Sequence, residues 1–171
     1  MTTKQAGPVE YLEAYGVLRE RLGNIIGAND GDVPVPACPG WPVRDVVAHL
    51  AGLCEDWVNH RLDGYASGSW TANHVARYPG CTCAVILQMW AHTMKAFADL
   101  GDDPEMSPPA RWAFGDAVVH EADIRGSLSA GRDPRDAVLL GLEGAIMRWR
   151  KEVLRSSGVP TLRLRSPDAR D

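Results

Sequence analysis

Residues 42–57 read Pro42-Val43-Arg44-Asp45-Val46-Val47-Ala48-His49-Leu50-Ala51-Gly52-Leu53-Cys54-Glu55-Asp56-Trp57. Val43, Val46, Val47, Leu50, Leu53, Cys54 and Trp57 recur at helical steps, which puts them on one face of an α-helix. Proline suits the first turn of a helix, where its missing N–H has no partner in any case. The helix is therefore expected to start near Pro42 and to run to Gly64. Its apolar stripe is the face that a bundle core would take.

The same pattern extends outward from this helix. Upstream, residues 9–27 carry Tyr11, Tyr15, Leu18, Leu22 and Ile25 at steps of four and three, a single stripe. Downstream, residues 65–81 mix Gly, Ser, Asn, Pro and one Trp without a period and read as a long connection over the bundle end, where sites are often lined. Residues 82–100 present Cys83, Leu87, Trp90, Met94 and Phe97 before Gly101 stops them. Ser107-Pro108 and Asp133-Pro134 each open a further helix by a cap followed by proline. The last helix carries Leu139, Leu142, Ile146, Trp149 and Val153 and closes at Gly158, after which Thr161 to Arg165 alternates like a short strand. The expected fold is all-α: an up-and-down four-helix bundle with an additional short helix and a short strand-like C-terminal tail. The bundle would occupy residues 1–158 and the tail 159–171.

Composition narrows the function classes. A chain of 171 residues, 45% hydrophobic and 23% charged, can bury a real core. Its net charge of -4, with no dense basic run, argues against a nucleic-acid partner. No apolar run approaches the ~20 residues of a membrane span, and no signal segment is visible, so the expected compartment is the cytoplasm. Cys38, Cys54, Cys81 and Cys83 lack the spacing of a zinc knuckle and read as small buried or loop thiols, Cys81-Thr82-Cys83 included.

Two separated segments carry the chemistry. In Asp116-Ala117-Val118-Val119-His120-Glu121-Ala122-Asp123-Ile124-Arg125, Asp116 and His120 stand four apart. On a helix they share a face and could grip one ion, with His49 reaching in from the helix first described. Two histidines and a carboxylate leave coordination positions open, as a catalytic metal site requires. By spacing alone the pair reads equally well as a surface Asp and His supporting one helix turn, and His49 as a hydrogen-bonded core residue. Asp123 is placed to accept from a ligand histidine or to pair with Arg44. His60, His74 and His92 have no ligand-spaced partner and read as solvent or core residues. The six tryptophans read as packing, with Trp41 and Trp70 positioned to line a pocket mouth.

The run Cys38-Pro39-Gly40-Trp41-Pro42-Val43-Arg44-Asp45-Val46-Val47-Ala48-His49-Leu50 resembles the opening signature of the mycothiol-dependent maleylpyruvate isomerase family, the bacterial branch of the DinB/YfiT-like metal-binding bundles. The segment from Asp116 to Arg125 looks like that family's downstream ligand pair. The resemblance covers most of the chain through the last predicted helix. It implies a DinB-like four-helix bundle holding a divalent ion, usually zinc, on His49, Asp116 and His120, with nickel or iron as alternatives. The namesake enzymes carry Glu where Asp116 stands, a methylene longer, which implies an ion nearer that helix or held more weakly. Pro42 replaces the usual Thr or Ser. Family members often continue into a second, smaller α/β domain, which would begin about where residue 171 lies.

The implied activity is that of an isomerase or S-transferase using a low-molecular-weight thiol, mycothiol in the namesake enzymes, on a small electrophile. A metal-bound thiol ionises at neutral pH. Addition to a conjugated double bond, rotation and elimination would isomerise it, and addition alone would be thiol transfer. Arg44 and Arg125 are the candidate catalytic contacts to anionic groups. The expected partners are the thiol and a small molecule, with no nucleic acid and no membrane, and a homodimer is compatible. Two rivals stand beside this reading: a metal-dependent hydrolase with Glu121 or Asp123 as base, and a non-catalytic binding bundle.

Overall fold

The three upstream apolar stripes and the helix opened by Ser107-Pro108 fold as helices in the computed structural model, which describes residues 8–28, 30–99 and 107–131. They are α1 (Pro8–Ile25), α2 (Val43–Val58), α4 (Cys83–Asp99) and α5 (Ser107–Leu128), with a shorter α3 (Gly68–Ala76) between α2 and α4. The helix expected from Asp133 to Gly158 and the strand-like tail lie outside the described residues.

The stripes become the core. Tyr15, Leu18 and Leu22 of α1 are buried with Val46, Val47, Leu50, Leu53 and Cys54 of α2, Ile86, Trp90 and Phe97 of α4, and Phe114, Ala117 and Ile124 of α5. Tyr15 sits edge-on to Trp90 and Phe97, with ring centroids 5.2 Å and 5.9 Å away, and its hydroxyl donates to the Leu50 carbonyl at 3.2 Å. Aromatic pairs at such angles add to the burial that holds the helices together.

Around the bundle, α1 packs on α4 and α5, and α2 packs on α4, α5 and α3. Gly16 lies by Met94 and Gly23 by Leu87, so α1 and α4 run antiparallel. Arg44 and Cys83 flank Gly31, and Cys54 meets Met94 ten residues further along. Helices α2 and α4 are therefore parallel, and the segment between them carries the chain back across the bundle.

Two element boundaries differ from the sequence reading. Helix α2 ends at Val58 rather than at Gly64. His60 takes the left-handed backbone conformation (φ 53°), the Arg61 N–H returns to the Asp56 carbonyl at 2.9 Å and the His60 N–H to Trp57 at 3.3 Å. That is a Schellman stop made without glycine. The expected connection over residues 65–81 contains α3, opened by Ser67, whose side chain accepts from the Trp70 N–H. No helix among the described residues is long and apolar enough to cross a membrane.

Candidate metal centre

Local sequence builds one wall of the site. In Cys38-Pro39-Gly40-Trp41 the Trp41 N–H donates to the Cys38 carbonyl at 2.9 Å, and Gly40 has φ 86°. Proline then glycine with positive φ is the signature of a type II turn. Main-chain bonds from Val35 to Trp41 and from Val43 to Val33, 3.0 Å and 2.9 Å, tie this turn to the start of α2. Cys38 and Trp41 thereby face a pocket of about 330 Å³, shared with His49 and Leu53 of α2, Tyr65 and Ala66, Trp70 and Thr71 of α3, and Asp116 and His120 of α5.

The three residues singled out from spacing meet at the floor of this pocket. His49, Asp116 and His120 each present a ligand atom within 4.8 Å of the others. Asp116 Oδ2 is 3.0 Å from His49 Nε2 and 4.0 Å from His120 Nε2. Asp116 and His120 are thus not a surface pair, and His49 is buried at the pocket wall.

Each imidazole is held from behind. His120 Nδ1 lies 3.1 Å from Asp123 Oδ2. Burial pushes the His120 pKa down, but the Asp123 hydrogen bond and the charges of Asp116 and Asp123 outweigh it and the net shift is upward. His49 Nδ1 lies 2.9 Å from His74 Nδ1, and His74 Nε2 lies 2.9 Å from Asp56 Oδ2. Burial drives the His74 pKa down to about 4 despite the Asp56 hydrogen bond. Asp56 is itself fully buried. Burial pushes its carboxyl up, but hydrogen bonds from Arg77, His74 and Arg61 win and hold it below the usual carboxylate range. Arg61 Nε and Arg77 approach Asp56 Oδ1 at 2.9 Å and 2.7 Å.

Of the four cysteines, all free, Cys38 belongs to the site. Its sulfur is 3.6 Å from His120 Nδ1 and 3.7 Å from Asp123 Oδ2, and burial, reinforced by Asp123 and Asp116, pushes its thiol up to about 11.

The two arginines offered as catalytic contacts lie elsewhere. Arg44 pairs with Asp32 at 2.7 Å, so Asp123 serves His120 and not Arg44. Arg125 pairs with Glu121 at 2.8 Å, and neither arginine is among the residues lining the pocket. Glu121 is fully buried and also bound by Arg21, an internal ion-pair position unsuited to a water-activating base. Sequence reasoning missed His74 and Asp56, and took Cys38 for a small buried or loop thiol. The chain spacing of His74 and Asp56 carries no ligand period, and Asp56 lies on the same stripe-bearing helix as His49 without any local mark of its role.

Residues 18–125 match the family described as the mycothiol maleylpyruvate isomerase N-terminal domain, a stretch that includes Cys38, His49, Asp116 and His120. No curated protein and no solved structure matches the chain. With that match spanning more than half of its residues and an all-helical bundle beneath it, the chain belongs to the mycothiol maleylpyruvate isomerase N-terminal domain family.

Proposed function

We propose that this domain holds a divalent metal ion on His49, Asp116 and His120 and works in the cytoplasm as a mycothiol-type thiol-dependent isomerase or S-transferase on a small electrophile. The observation that carries the reading is the convergence of two imidazoles and a carboxylate, within 4.8 Å of one another, on one open pocket. That donor set suits zinc, with nickel and ferrous iron as alternatives.

A bound divalent ion would lower the pKa of a thiol entering its coordination sphere and so supply a thiolate at neutral pH. The remaining work falls to the chain. Asp123 fixes the orientation of His120, and the carboxylates of Asp116 and Asp123 place negative charge where a cation is wanted. Trp41, Leu53, Tyr65 and Trp70 give the pocket apolar walls that exclude water from a reacting thiol and electrophile. Burial and the neighbouring carboxylates push the Cys38 thiol up to about 11 and favour its neutral form, which supports a nucleophilic thiol brought from outside the chain.

The test is metal content followed by thiol binding. Protein reconstituted with zinc and cleared of excess ion should retain near-stoichiometric metal, and His120→Ala should not. Calorimetric titration with mycothiol should then give binding and proton release only in the metal-loaded parent. Absence of retained metal in the parent would overturn the reading. Turnover of an electrophile that proceeds equally well without added thiol would replace it with a metal-dependent hydrolase.

A further inference from the structure

Behind the pocket, a line of hydrogen-bonding groups runs through the protein interior from His49 to two arginines. His49 Nδ1 meets His74 Nδ1 at 2.9 Å, His74 Nε2 meets Asp56 Oδ2 at 2.9 Å, and Asp56 Oδ1 is bound by Arg61 and Arg77. His74 and Asp56 are both fully buried. The two imidazoles lie nearly parallel, 28° apart with ring centroids at 5.1 Å. Burying a carboxylate and two imidazoles is costly, so a fully paired arrangement at this depth calls for a role.

The fold also makes room for it. A Cβ at Gly52 would stand 2.6 Å from His74 Cβ and 2.8 Å from its Cγ, closer than any side chain tolerates. Glycine one turn beyond His49 therefore lets α3 lay the His74 ring directly on α2. Ser67 starts α3, and the Trp70 indole N–H anchors it to the Arg61 carbonyl at 3.1 Å. The segment between α2 and α4 thus supplies the histidine, on α3, and both arginines.

The chemistry of the paired groups limits what such a line can do. A carboxylate can only accept, so His74 Nε2 carries the hydrogen that reaches Asp56. His49 Nε2, the atom that faces Asp116 and the pocket, must keep its lone pair to be the metal ligand proposed above, so its hydrogen lies on Nδ1, where His74 Nδ1 accepts it. With His74 Nε2 donating to Asp56, the His74 Nδ1 lone pair is offered to His49 and favours the His49 tautomer that a metal ligand needs. We propose that His74 and Asp56 are positioning residues, which fix the tautomer and ring orientation of His49 so that its Nε2 is presented to the metal. This rests on the metal-binding reading above and extends it to two residues that do not touch the pocket floor.

The experiment compares zinc affinity, by chelator competition, in the intact chain and in His74→Phe, which keeps a ring but removes both nitrogens, and Asp56→Asn. Outer hydrogen-bond partners of metal-ligating histidines typically contribute ~10–100-fold in affinity. His74→Phe should lose affinity in that range, Asp56→Asn should shift in the same direction, and the visible absorption of the cobalt-substituted protein should change in both. Nitrogen-edited NMR of the zinc-loaded parent should find His49 protonated at Nδ1 and metal-bound through Nε2, a readout that does not depend on the variants folding. A parent that binds no zinc would overturn the metal reading and this inference with it. A parent that binds zinc while His74→Phe matches its affinity and cobalt spectrum, or in which His49 binds through Nδ1, would overturn this inference alone.

Discussion

Cys38 is a pocket thiol placed beside acidic groups, and its chemistry follows from that neighbourhood. Burial and the carboxylates of Asp123 and Asp116 raise its pKa to about 11, so almost none is thiolate at neutral pH. Alkylation by iodoacetamide at pH 8, followed by peptide mass spectrometry, should find Cys38 reacting at least about tenfold more slowly than free glutathione, even after the higher basicity of its thiolate is allowed for. Reaction as fast as glutathione would contradict the protonated state. His49, Asp116 and His120 lie in two segments whose motifs are readable, whereas Cys38 read as a plain buried or loop thiol and is brought with Trp41 to one pocket by the Pro39-Gly40 turn. His74 was not readable as a site residue. Its single bond to the site crosses 25 positions of chain, and no periodicity marks it.

At the scale of elements, apolar stripes gave the positions of α1, α2 and α4, because a helix buried on one face must repeat its apolar residues near every 3.6 positions, and the Ser107-Pro108 cap gave the start of α5. Helix α3 escaped because it has nine residues, too few to establish a period, and opens on Gly and Ser. Tertiary contacts hold it: Trp70 and His74 are buried, and Ser67 caps its first turn. Ser67→Ala should therefore cost about 1 kcal/mol of stability by urea unfolding, and Ser67→Gly only a few tenths. Equal loss in both variants would remove the cap from the account. The early end of α2 has a similar cause. A left-handed His60 stops the helix where glycine would have been the recognisable signal.

For the whole molecule, stability should depend on alkaline pH through buried phenols. Burial raises Tyr15 well above its ordinary value of 10.0 and, with the Glu55 charge next, takes Tyr78 up to about 12. Unfolded tyrosines ionise near pH 10 while these remain neutral in the fold, so the unfolded state sheds protons first and is favoured as pH rises. Urea midpoints should hold to about pH 9 and fall between pH 10 and 12, and Tyr78→Phe should make that fall shallower; an unchanged slope would exclude Tyr78 as a contributor. Helix content, the apolar faces and the Asp116–His120 pair were all written in runs of a dozen residues or fewer, because each depends on a local repeat. The parallel course of α2 and α4, the meeting of Cys38 with His120 across 82 positions, and the buried line from His49 through His74 to Asp56 came only with packing. Such contacts are made by side chains brought together when separate helices bury their faces, and no spacing within one segment encodes which distant partner will be there.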